Sequence, residues 1–106
     1  MYHVGAVIIE DLTFDRQKQA LSCTSTGGPP TIVSWMKDSQ PLTIDGNIYK
    51  QSQRVLNTSI ATYQSSLSSI DIGNFVGTFT CTVSNARTTA PVERTVVLNG
   101  ELYYTV

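Results

Sequence analysis

Residues 21–42 read LSCTSTGGPPTIVSWMKDSQPL, and residues 77–86 read GTFTCTVSNA. Together they hold both cysteines of the chain and its one tryptophan: Trp35 follows Cys23 by 12 residues and precedes Cys81 by 46. Around each of these residues the apolar side chains recur at every second position. Leu21 and Cys23 alternate with Ser22 and Thr24, Val33 shares parity with Trp35, and Phe79, Cys81 and Val83 share parity with one another. A period of two describes a strand with one buried and one wet face. Several such strands, each hydrophobic on one side, bury that side by facing another sheet. The expected fold is therefore an all-β sandwich of two sheets, with Leu21, Val33, Trp35, Leu67 and Phe79 in its core. The cysteines can form a disulfide, stay as two buried thiols or ligate a metal; their separation of 58 residues is far from the CxxC spacings of zinc and redox motifs.

Working outward, VGAVII (4–9) reads as a first strand rich in β-branched residues and LTF (12–14) as a second short piece. TGGPP (26–30) rules out regular structure there. Asp38-Ser39 is a turn; Pro41 suits an edge position, and Leu42 and Ile44 continue as a short strand. Asp45-Gly46-Asn47 is another turn. IYKQS and RVL, within 48–56, are strand fragments without clear alternation. TYQSSLSSIDI (62–72) reads as one strand anchored by Leu67 and Ile72, ended by Gly73-Asn74. ARTTAP (86–91) is a hairpin loop and VERTVVL (92–98) the returning strand. In LNGELYYTV (98–106), Asn-Gly between apolar residues is a hairpin signal. A bulge in a long last strand, or the start of a linker, is preferred for residues 99–106. The chain thus reads as a single domain over 1–106, with its core at about 4–98 and no helix of ordinary length.

Composition excludes several classes. The chain has 106 residues, a formal net charge of −1 and 14% charged residues. Its seven basic residues are scattered, whereas a nucleic-acid partner leaves a clustered cationic footprint. No apolar run approaches the roughly 20 residues of a membrane helix, so direct membrane insertion is not expected. The opening MYHVGAVIIEDLTF lacks a basic start and a small-residue cleavage site, so an extracellular protein would be represented here by a mature fragment.

WMKDSQPL and GTFTCTVSNA resemble two segments of the immunoglobulin superfamily, and the resemblance extends over nearly the whole chain. The pattern is similar to the I-set: W-x-K-D-G-x-P-L, with Ser39 in the glycine's place, and G-x-Y-x-C-x-V/A-x-N-A, with Asn85 at the usual Asn. The resemblance implies a two-sheet Greek-key sandwich with one inter-sheet disulfide, Cys23–Cys81. Such a bond stabilises by about 4 kcal/mol in the loop-entropy model and belongs to an oxidising compartment. Three departures stand out. Phe79 lacks the hydroxyl of the family's tyrosine corner, a loss of ~1 kcal/mol. Phe75 replaces an Asp that commonly pairs with a basic residue beneath the sandwich, and the turn before this strand is about one residue shorter than usual. The interval from Leu42 to Leu67 is long enough for a variable-type C″ strand.

His3 is the one histidine, near a terminus; a lone terminal His among many serines does not make a catalytic triad, and no enzyme activity is expected. With the cysteines paired no metal-ligand cluster remains, and no cofactor is expected. Asn57-Thr58-Ser59 is a glycosylation sequon. Tyr49, Tyr63, Tyr103 and Tyr104 are either an aromatic binding surface or, favoured for any one of them, cross-strand packing. Gly27–Pro30 and Arg87–Pro91 fall on loops that recognise ligands in variable domains. Met36, Lys37 and Gln40 fall on the C–C′ edge of the sheet formed by strands G, F and C; with Arg87 they are the expected partner contacts.

The resemblance implies an extracellular module of a cell-surface adhesion protein or receptor, receptor tyrosine kinases included. Its work is noncatalytic recognition of a protein ligand or another immunoglobulin domain, with a weak homodimer through the GFC face as one form. Two alternatives are an intracellular structural domain of a filament-type protein and an antigen-receptor-like variable domain.

Overall fold

The computed structural model describes residues 6–27, 32–44, 48–59, 61–85 and 90–99, together with the backbone of 103–105. Among these residues nine strands are present: β1 (Ile8–Asp15), β2 (Ala20–Thr26), β3 (Ile32–Lys37), β4 (Gln40–Pro41), β5 (Lys50–Asn57), β6 (Thr62–Ser68), β7 (Val76–Ser84), β8 (Val92–Asn99) and β9 (Tyr103–Thr105). They form a four-stranded sheet ordered β1-β2-β6-β5 and a five-stranded sheet ordered β4-β3-β7-β8-β9, with every pairing antiparallel. The Cys23–Cys81 disulfide ties β2 to β7 across the two sheets. Leu21, Trp35, Leu67 and Phe79 are buried, and Val33 is half-buried against the same cluster.

The first strand is one strand and not two. A bulge at Glu10 gives β1 one residue more than β2 between Ile9 and Asp11. The extra residue shifts the parity, so Val7 and Ile9 are buried before it and Leu12 after it. Arg94, on β8, donates from Nη1 to the Glu10 carbonyl at 2.9 Å. The bulge is thereby held to the facing sheet.

Four further expectations are corrected. TYQSSLSSIDI does not run as one strand: β6 stops at Ser68, Ile70 is 81% exposed, and Ile72 belongs to a 3-10 turn, Ile72–Asn74. Asp71 caps that turn through Oδ1 and the Gly73 amide. Leu42 and Ile44 are not a strand, although Leu42 donates its amide to the Trp35 carbonyl and both side chains pack on the core. The two fragments in 48–56 are the single strand β5, whose residues are all exposed. It pairs only with β6, and no C″ strand occurs among the described residues. Residues 103–105 do not extend the last strand: they pair antiparallel with β8, Leu98 opposite Tyr103 and Val96 opposite Thr105.

The two motif segments meet in space. Asp38 and Ser39 have φ of 52° and 66°, a tight two-residue turn between β3 and β4. The Asp38 amide donates to the Thr78 carbonyl at 2.7 Å, and the Thr78 amide donates to Asp38 Oδ1 at 2.9 Å. Gly77, at φ 127°, lies so close that a Cβ there would stand 2.8 Å from the same carboxylate oxygen.

An aromatic cluster closes the same end of the sandwich. Phe75 is fully buried, with ring centroids 5.0 Å from Phe14, 5.8 Å from Tyr49 and 5.6 Å from Phe79. Lys37 Nζ lies over the Phe79 ring, 5.7 Å from its centroid. Tyr49 donates its hydroxyl to the Asn74 carbonyl. The departures at positions 75 and 79 therefore have a common cause. An apolar plug fills this end where the superfamily pattern carries an acid, and a different tyrosine supplies the hydroxyl that Phe79 lacks.

Candidate recognition surface

The two outer faces of the sandwich differ in chemistry. On the five-stranded sheet, β3 presents Ile32, Ser34 and Met36 outward, opposite in parity to Trp35. Register places Met36 beside Pro41 on one side and Thr80 on the other, and Thr80 beside Thr95. The hydroxyls of Thr80 and Thr95 are 2.9 Å apart and hydrogen-bonded. Thr78 stands beside Val97, and Val97 is in register with Tyr104. Ile32 and Val76 are large apolar residues exposed at 61% and 47%. Glu93 is the one charged residue among the described outward positions of β3, β7 and β8.

The four-stranded sheet turns a polar face to water. Thr13, Ser22, Ser66, Gln64 and Arg54 line a hollow across β1, β2, β6 and β5, with Asp15 and Lys18 at its rim. Arg54 donates from Nε to Gln64 Oε1 at 3.0 Å. The charged groups are spread over both edges of this sheet: Asp11 and Asp15 on β1, Lys50 and Arg54 on β5.

The expected contact residues separate. Met36 is half-buried on the outer face of the five-stranded sheet. Lys37 is not on that face: it shares Trp35's parity and folds over Phe79. Gln40, opposite Lys37, is exposed at the β4 edge. Arg87 and His3 lie outside the described residues, as does most of the Gly27–Pro30 and Arg87–Pro91 loops. Tyr49 is a core residue and not a surface aromatic, and Tyr63 is half-buried opposite Val55. Asn57 is exposed at the end of β5, where its Oδ1 accepts from the Ser59 amide at 2.9 Å. The outward row of threonines around Met36 is legible in the sequence once β7 and β8 are phased on Cys81 and Val96.

Burial holds the Tyr49 phenol above its ordinary pKa of 10.0, and the Asp38 carboxylate adds to the rise. No group of three or more His, Cys, Asp or Glu side chains that could hold a metal ion occurs among the described residues.

A family model described as the CD80-like C2-set immunoglobulin domain matches residues 7–92, most of the chain. The chain belongs to that family. Its motif segments resemble the I-set, while the matching model is a C2 set; both describe an immunoglobulin sandwich. No curated protein matches the chain. Immunoglobulin domains generally act by binding other proteins, without catalysis, and a disulfide across the sandwich is typical of extracellular ones.

Proposed function

We propose that this immunoglobulin domain is an extracellular recognition module of a cell-surface receptor or adhesion protein. Its partner, a protein ligand or another immunoglobulin domain, docks on the outer face of the β4-β3-β7-β8-β9 sheet around Met36. The observation that carries this is the charge pattern. Protein-binding patches are depleted of charge at their centre and enriched in residues such as Met. The surface around Met36 has Pro41, Thr95 and Val97, with the buried Thr80 between Met36 and Thr95, and no charge among them; Ile32 and Val76 are exposed at its margins. The opposite outer face has the character of a solvated wall. The disulfide supports the oxidising compartment, and no helix among the described residues is long and apolar enough to cross a membrane. Intact mass with and without reductant, differing by two hydrogens, reports the state of the cysteines.

Sedimentation of the domain across a wide concentration range tests the surface. Met36→Glu places a charge at its centre and is expected to weaken self-association, or capture of the ligand by an otherwise monomeric domain, by about tenfold or more. Binding that is indifferent to Met36→Glu in a folded variant would remove this face from the proposal.

A further inference from the structure

The sandwich has four sheet edges among the described residues, and three are guarded. β1 carries the Glu10 bulge and acidic residues, β4 is two residues long, and β9 is three. β5 is different. It is eight residues long, exposed throughout, and pairs on one side only, which is the form of edge that invites pairing with another chain. Lys50 and Arg54, its first and fifth residues, carry its charge. They are followed by Val55, 50% exposed, and Leu56, 44% exposed, the latter pushed out by a bulge between Val55 and Asn57. The next residue is Asn57, the acceptor of the sequon Asn57-Thr58-Ser59. The Asn57 side chain is exposed and set by its bond from the Ser59 amide.

We propose that Asn57 carries an N-linked oligosaccharide that covers the apolar end of the β5 edge and keeps it from pairing with a second copy. The inference rests on the extracellular placement proposed above. In the transfer, a bond forms between Asn57 Nδ2 and the anomeric carbon of an oligosaccharide donated from a lipid pyrophosphate. The anomeric carbon–oxygen bond breaks, the lipid pyrophosphate leaves, and Nδ2 gives up one proton. A hydrated glycan beside Val55 and Leu56 does for this end of the strand what Lys50 and Arg54 do for the rest of it.

The test is secretion of residues 1–106 from glycosylating eukaryotic cells as the natural sequence and as Ser59→Ala. That variant removes the sequon hydroxyl but keeps the backbone amide that bonds Asn57. Intact mass should show an oligosaccharide on the natural chain and none on the variant. Sedimentation should show the variant self-associating about tenfold more strongly. Adding Val55→Thr and Leu56→Thr should return it to the natural behaviour, whereas Met36→Glu should not. A bare mass on the natural chain with its disulfide intact overturns the glycan and leaves the extracellular reading standing. Free thiols on the secreted chain count against the extracellular reading, and the mass still decides the glycan. A glycosylated natural chain that sediments like Ser59→Ala overturns the shielding role.

Discussion

The aromatic end of the sandwich and the open β5 flank lie on the same molecule but hold it together to very different degrees. At the aromatic end, Phe14, Tyr49 and Phe79 pack around Phe75, drawing on three segments of the chain, with Lys37 over the Phe79 ring. Along β5, inward-facing positions are filled by Gln51, Gln53 and Val55, all exposed, and Gln51 Nε2 reaches the Val33 carbonyl only at 3.5 Å. Stability is concentrated where long-range apolar contacts converge, and the flank is a strand carried by its ladder to β6. Surfaces of the second kind can change without loss of the fold.

Three substitutions break or sharpen that contrast. Phe75→Ala should cost about 3–5 kcal/mol in denaturant unfolding, because it opens a cavity among three rings that cannot all close on it. Tyr49→Phe should cost ~1 kcal/mol by leaving the Asn74 carbonyl without its hydroxyl donor. The same variant tests a pH effect. The buried phenol has its pKa raised above 10.0, so the folded chain keeps a proton that the unfolded chain releases. That contribution is complete below pH 10.0 and is lost as pH rises through the folded value; Tyr49→Phe should flatten the alkaline limb of the stability profile. Ser52→Ala, on the exposed flank, should change stability by no more than about 0.5 kcal/mol. A flank substitution costing as much as Phe75→Ala would erase the contrast.

The same contrast explains what could be read from the sequence. Leu21, Cys23, Val33, Trp35, Phe79 and Cys81 lie on central strands with one face buried, so their alternation is visible and leads directly to the sandwich. β5 lies at an edge where both faces are wet, and KQSQRVLN accordingly shows no period. Phe75 looked like a loss because the pattern it departs from has an acid there; only the proximity of Phe14 and Tyr49, distant in sequence, shows what it gains. Tyr49 stands between a turn and a polar strand, and nothing local marks it as buried. Lys37 shares the parity of Trp35, which sets it on the inner side although its charge suggests the surface. The three-residue strand β9, paired with β8, carries too little pattern of its own to be distinguished in the sequence from an extension of the last strand.

Gly77 and Asp38 are almost 40 positions apart, yet the carboxylate of one occupies the space a side chain on the other would need. The two segments by which this chain resembles other immunoglobulin domains are therefore a single unit written in two places. Among descendants of such a sequence, a side chain at position 77 would have to displace that carboxylate and also hold a backbone φ of 127°, so position 77 should stay glycine whatever stands at position 38.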